Sequence, residues 1–254
     1  MRYGKKLALS LQEEGNTAKP FISHKVWREI LSRTVKEHRS GCSTEVVENL
    51  DEEFLVALRS DTDVISAYCK QVEKDHLTSL EELTARAQLA GVTAEGPVSR
   101  LAVEIQRSLT DSSFKGLQET SAPSLRSLWS ELASSVSSVC NNFNDIAWKW
   151  QQHLNYLEVN IAGYRKTIKQ RGKQIPLESI LAKYTDYLHL TEVPISIQSK
   201  FSALHSQLEP CLKQFAPGAE LFIPKVGTET IEANGKIKLD ADLIKLLLSL
   251  LPRE

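Results

Sequence analysis

The sequence lacks the cysteine and histidine spacing of a metal or redox motif. Its four cysteines are scattered, and no two of them form a C-x-x-C pair. They are Cys42, Cys69, Cys140 and Cys211. Scattered thiols are typical of a protein in a reducing compartment. The six histidines form no H-x-x-x-H pair, so the sequence predicts no metal site.

Long apolar runs are missing as well. No stretch of about 18 apolar residues occurs, so the sequence predicts no membrane span. The apolar run within the N-terminal MRYGKKLALSLQEEG is too short for a signal peptide, and no N-x-S/T acceptor occurs. We therefore expect a cytoplasmic or nuclear protein.

Catalytic and nucleotide-binding motifs are also missing. The sequence contains no G-x-S-x-G, G-x-G-x-x-G or G-x-x-x-x-G-K-[ST] pattern. We therefore expect a protein that is not an enzyme and carries no cofactor.

Charge is present in both signs but is sorted along the chain. The net charge is −1, from 31 Lys plus Arg and 32 Asp plus Glu. Residues 1–39 hold nine basic residues and four acids, whereas 45–63 hold seven acids and one Arg. The segment GYRKTIKQRGK, 163–173, holds five basic residues and no acid. Such sorting bears on partners rather than on fold.

Helical periodicity dominates, which predicts an all-α fold. Apolar residues recur every three or four positions from Leu125 to Ile168, which predicts one very long helix or two nearly collinear ones. The same spacing over 45–89 predicts a long antiparallel partner, although the pattern slips at Asp61. Two segments between these helices predict loops around a short helix. One is AGVTAEGP, which contains Gly and Pro, and the other is the Ser-rich SLTDSSFKGLQETSAPS, which ends at residue 124.

Shorter elements flank the two long helices. We expect helices near 4–14, 23–37, 177–188 and 196–214, and Pro176 should end the second long helix. In the tail, Asn234-Gly235 between alternating residues predicts a β-hairpin, and DADLIKLLLSLL predicts a final amphipathic helix.

Three lysines of the basic segment fall on one helix face. At about 100° per residue, Lys166, Lys169 and Lys173 lie roughly opposite the apolar side of Tyr164. Their ammonium groups could converge on one anionic ligand, or they could form a solvated helix end that suits the helix dipole. Nucleic acid is another partner to consider for a basic patch, but a pI of about 6.6 and the few aromatic residues nearby argue against it.

Three segments carry a resemblance to the SPX domain, a helical module that binds inositol polyphosphates and pyrophosphates and reports phosphate status. MRYGKKL resembles the family's M-K-F-G-K-x-L, and FISHKVWREIL resembles Y-I-S/D-Y-x-x-L-K-x-x-L. YLEVNIAGYRKTIKQRGK resembles Y-x-x-L-N-x-T-G-F-R-K-I-L-K-K-x-D-K. The long helix around FLVALRSDTDVISAYC is similar to F-x-x-x-L-x-x-E-x-x-K-V-x-x-F-Y. The resemblance covers residues 1–190 as an SPX-like domain and leaves 191–254 as a C-terminal extension.

The resemblance implies a phosphate-binding surface built from the N-terminal helices and the end of the long helix. Its predicted members match basic or polar positions of the family pattern. They are Lys166, Lys169, Lys173, Arg28, His24, Arg2, Lys5, Lys6 and Gln170.

This chain departs from the family pattern at several of those positions. His24 stands where the family has Tyr, Arg28 where it has Lys, and Gln170 where it has another Lys. The first two changes keep a polar ring and a charge, whereas the third removes a cation. The changes bear on affinity and on ligand preference.

The resemblance implies a phosphate-status sensor whose ligand creates a composite surface for a protein partner. SPX domains of this kind act on a transcription factor or are attached to a polymerase, transporter or ubiquitin ligase. The alternative is a degenerate SPX helical scaffold or accessory subunit with little ligand binding. A homodimer through the Leu-rich face of the last helix, at Leu243, Leu246, Leu247 and Leu250, is a further expectation.

Overall fold

The described part of the chain is mostly helical, with four helices. A computed structural model describes residues 19–92, 103, 107, 118–174, 192–216, 218–224, 230–231 and 236–238. The helices are α1 (His24–Arg39), α2 (Thr44–Leu89), α3 (Gln118–Gln174) and α4 (Ile195–Phe215). Their positions confirm the predicted helices near 23–37, 45–89 and 196–214 and the long helix that follows residue 125.

Helix α3 begins earlier than the sequence predicts. Residues 118–124 were predicted to be loop because they contain Ser and Pro123, but they are helical. Ser and Pro lower helix propensity by amounts that the continuation of a long helix can override. The predicted helices near 4–14, 177–188 and in the last residues lie outside the described residues.

Glycine ends both of the first two helices in the same way. Gly41 follows α1 with φ +71°, and Gly91 follows α2 with φ +66°. After α2, the Gly91 amide donates to the Gln88 carbonyl and the Val92 amide to the Ala87 carbonyl. This is a Schellman cap. Such caps are usually accompanied by an apolar contact between the residues that correspond here to Ala87 and Val92, and both of these are fully buried.

The described residues divide into two compact units that are not contiguous in sequence. The first contains residues 19–73, 152–174 and 192–194 with the short strands near the C-terminus, and the second contains 74–92, 118–151 and 195–224. The predicted boundary at residue 190 stays a prediction.

The core of the first unit is aromatic. Tyr68 of α2 meets Tyr156 of α3 with ring centroids 5.2 Å apart, and Trp27 of α1 meets Phe54 and Tyr164 at 6.1 and 6.2 Å. Tyr68 of α2 lies beside Tyr156 of α3. Phe54, earlier in α2, and Tyr164, later in α3, both contact Trp27. The two helices are therefore antiparallel in this unit. The predicted apolar stripe is confirmed here, since Leu154, Leu157, Ile161 and Tyr164 are buried.

The core of the second unit lies between α3 and α4. Phe143 of α3 packs edge-on against Phe201 of α4 with centroids 5.8 Å apart, and Trp129 lies 4.7 Å from Phe215. Trp150 is fully buried. Trp148 is exposed over 55% of its surface.

Burial makes two of the cysteines poor nucleophiles. Burial, with the nearby Glu73 carboxylate, raises the pKa of the Cys69 thiol to about 12. Burial, with neighbouring Cys211, raises the pKa of Cys140 to about 11. All four cysteines are free thiols, and only Cys42 is exposed.

Three short strands form a small antiparallel sheet in the first unit. They are β1 (Glu192–Pro194), β2 (Thr230–Ile231) and β3 (Lys236–Lys238), in the order β1-β3-β2. Val193 is registered with Ile237, and Ile237 with Ile231. The predicted hairpin is not established, because its Asn234-Gly235 turn lies outside the described residues.

Candidate functional site

The first turn of α1 lies against the part of α3 that carries the basic segment. Trp27 is fully buried, and its ring meets the ring of Tyr164 edge-on. Arg28 is the residue after Trp27, and Lys166 is two residues after Tyr164; both are exposed. The contact therefore packs the helix that carries Arg28 against the part of α3 that carries Lys166.

Residues 163–173 are helical, as the one-face arrangement of the lysines requires. Thr167 is buried, and its hydroxyl donates to the Gly163 carbonyl at 3.0 Å. Tyr164 and Thr167 face inward while Lys166 faces outward, so the helix has the predicted polarity at this point. Lys169 and Lys173 lie on the helical backbone of α3, and their side chains lie outside the described part of the structure.

An open groove of about 670 Å³ runs along the exposed side of α1. Lys25, Arg28, Glu29 and Arg33 line it together with Glu53 of α2. Arg33 donates to Glu53 at 2.5 Å, with both side chains about half exposed. Arg28 lines the same groove and lies about 140° around the helix from Arg33.

A segment before α1, residues 19–23, is held by side chains of both long helices; we call it the strap. The Ile22 amide donates to Asn160 Oδ1 of α3 at 3.1 Å, in a buried contact. The Tyr156 hydroxyl donates to the Pro20 carbonyl. The Ser23 amide and hydroxyl donate to the two carboxylate oxygens of Asp61 at 2.6 and 3.0 Å.

The strap decides how α1 starts. Ser23 is the residue before the first turn, where a serine hydroxyl usually accepts from a helix amide. Here the hydroxyl makes no such bond; it donates to Asp61. The start of α1 is thus fixed by tertiary contacts rather than by a local cap.

Sequence reasoning missed Asp61, Asn160 and Tyr156 as anchors of the strap. One signal was available, since the apolar spacing of α2 slips at Asp61. The slip occurs because Asp61 faces the strap, while the neighbouring Thr62 is fully buried. The apolar spacing gave no signal for Asn160 and Tyr156 as anchors, because their partners are 138 and 136 residues away.

The structure places the remaining predicted site residues as follows. Gln170 lies on α3 and is half-buried. His24 is the first residue of α1, and its side chain is outside the described part. Arg2, Lys5 and Lys6 lie outside the described residues.

Among the described residues, no group of three or more His, Cys, Asp or Glu could hold a metal ion. No helix in that part of the chain has the length and apolarity that crossing a membrane requires.

Comparison of the chain with models of protein families, with curated proteins and with solved structures found no match.

Proposed function

We propose that this chain is an SPX-type phosphate-status sensor that binds an inositol polyphosphate or pyrophosphate. The ligand lies across the first turns of α1 and the basic C-terminal part of α3. The observation that supports this proposal is the buried Trp27–Tyr164 contact, since it packs the helix that carries Arg28 against the part of α3 that carries the lysine row.

The charge pattern supports a compact polyanion as the ligand. An inositol polyphosphate carries several phosphates around one ring and needs cations that come from different directions. Lys166, Lys169 and Lys173 supply one row from α3, while Arg28 supplies a guanidinium from α1 that is suited to bidentate phosphate contacts. A long nucleic acid would need an extended basic surface, and residues 45–63 of neighbouring α2 are acidic.

His24 belongs to the proposed site, at the first position of α1. Arg2, Lys5 and Lys6 border it through the N-terminal segment, as the resemblance implies. Gln170 occupies a position on α3 where a cation would add attraction, so this site has lost one charge from that row.

The bound ligand neutralises the lysine row and forms a composite surface for a protein partner in the cytoplasm or nucleus. The partner is a transcription factor, or a subunit of a polymerase, transporter or ubiquitin ligase. A C-terminal Leu-rich helix would add a homodimer contact.

Titration calorimetry with inositol hexakisphosphate and a diphosphoinositol phosphate tests the site. We expect a dissociation constant of about 10 μM or tighter, equivalent to about 7 kcal/mol. Replacing Lys166, Lys169 and Lys173 together by Ala removes three cations from one face and should abolish the binding.

The matched control removes three lysines elsewhere. Lys149, Lys200 and Lys213 are exposed lysines of the second unit, and each pairs with a surface carboxylate. Their triple Ala variant has the same net charge as the test variant and loses only surface ion pairs, which stabilise proteins little. Equal loss of binding in both variants would mean that net charge, not the site, holds the ligand. Absence of binding by the unaltered chain would favour a helical scaffold.

A further inference from the structure

We infer that Asp61 is a positioning residue for ligand binding: it fastens the strap and so fixes the first turn of α1 beside the basic part of α3. The inference rests on the proposed function, because it assigns to Asp61 control over that site.

The contacts of Asp61 are specific and bidentate. Its two carboxylate oxygens accept from the Ser23 amide and hydroxyl at 2.6 and 3.0 Å, in a partly buried position. Charged acceptors form stronger hydrogen bonds than neutral ones, and two bonds to one residue also fix its orientation. His24 follows Ser23 directly, so the bonds act on the start of α1.

The strap is fastened on its other side to α3. Asn160 accepts from the Ile22 amide and also donates to the Tyr156 carbonyl at 3.1 Å. Asn160 lies one helical turn before Tyr164, where the basic segment begins. Asp61 and Asn160 together therefore set the start of α1 relative to α3.

A rigid polyanion needs this arrangement more than a flexible one does. The phosphates of inositol hexakisphosphate are fixed around a ring, so cations held in place beforehand bind it with less loss of conformational freedom. Linear tripolyphosphate adapts to displaced cations. Loosening the strap should therefore lower the preference for inositol hexakisphosphate over tripolyphosphate.

Charge alone predicts the opposite effect of mutation. Asp61 is an anion close to a basic surface, so removing it should strengthen the binding of any polyanion. If Asp61 positions α1, Asp61→Ala should instead weaken binding of inositol hexakisphosphate about tenfold and change tripolyphosphate binding less.

The experiment compares the full chain with Asp61→Ala and Asp63→Ala. Asp63 is exposed on the same helix two residues away, so its substitution removes the same charge. Calorimetry gives the affinity for both polyanions, and hydrogen exchange without ligand reports on residues 19–28. We expect faster exchange and weaker, less selective binding in Asp61→Ala only. Adding Ser23→Ala to Asp61→Ala should cause no further loss, because the contact is already gone.

The outcomes separate the two proposals. No binding by the unaltered chain overturns the proposed function and the inference with it. Binding by the unaltered chain, with equal or tighter binding by Asp61→Ala, overturns the inference alone. If Asp61→Ala does not fold, Ser23→Ala serves instead, since it removes one of the two bonds. It should weaken inositol hexakisphosphate binding about twofold to threefold, and unchanged affinity contradicts the inference.

Discussion

His76 of α2 lies half-buried against Trp150 of α3, with ring centroids 5.2 Å apart. Burial lowers the pKa of His76; Lys149 lowers it further, whereas the Asp75 carboxylate raises it. In an unfolded chain a histidine titrates near pH 6.5. Between the folded pKa and about 6.5 the unfolded chain therefore binds more protons. The stability that the neutral His76 side chain gives the folded state is fully present above about pH 6.5, and it is lost as the pH falls toward the pKa of His76 in the folded state.

Because the pKa of His76 is lowered on folding, the folded protein should lose stability in acid. We expect the free energy of unfolding to fall as the pH is lowered below about 6.5, and His76→Gln should make that fall shallower because the group that must be protonated is gone. Urea unfolding at a series of pH values measures both proteins. The same pH slope in the two would show that His76 does not contribute.

The helices themselves were predictable because their signal is long and local. The stripe that includes Phe143, Trp150 and Leu157 repeats with the helical period, and these residues are buried. The start of α3 was not predictable, since Ser and Pro123 made residues 118–124 resemble a loop. The anchors of the strap were not predictable either, because a polar residue such as Asn160 in a stripe gives no indication of a distant partner.

Asn144 of α3 shows the same limit in the second unit. Its side chain donates to the Glu220 carbonyl at 3.1 Å and accepts from the Phe222 amide at 2.7 Å. The segment 219–224 has no regular secondary structure, and these bonds hold it along the helix. They place Phe222 5.8 Å from the Trp148 ring.

Removing the Asn144 side chain should release the segment 219–224. Asn144→Ala loses two hydrogen bonds and leaves the partly buried Phe222 amide without its partner, which should cost about 1–3 kcal/mol. We expect hydrogen exchange at 219–224 to accelerate while exchange in α4 stays slow. Asn141→Ala is the control, since Asn141 is exposed on the same helix. Similar exchange in all three proteins would mean that other contacts hold the segment.

At the scale of the whole molecule, the sorting of charge matters more than its sum. A net charge of −1 gives no general attraction for an anion, yet residues 163–173 carry +5 and so the remainder carries −6. The sequence predicted which segment would be basic. Only the resemblance predicted that the two basic regions meet. The Trp27–Tyr164 contact packs α1, which ends the first region, against the part of α3 that carries the second.

Local charge attraction predicts a strong dependence of ligand affinity on salt. Raising the ionic strength from about 0.05 M to about 0.5 M shortens the Debye length from about 14 Å to about 4 Å, so cations around an exposed ligand act on it less. The affinity for inositol hexakisphosphate should fall about tenfold or more across this range. Calorimetry at several concentrations of sodium chloride gives the slope. The slope should be shallower in Lys166→Ala, which removes one exposed cation, and unchanged in Lys213→Ala, whose lysine lies in the second unit and pairs with Glu209. An affinity that does not change with salt would rule out charge attraction as the main source of binding, and the lysine row would then be a solvated helix end.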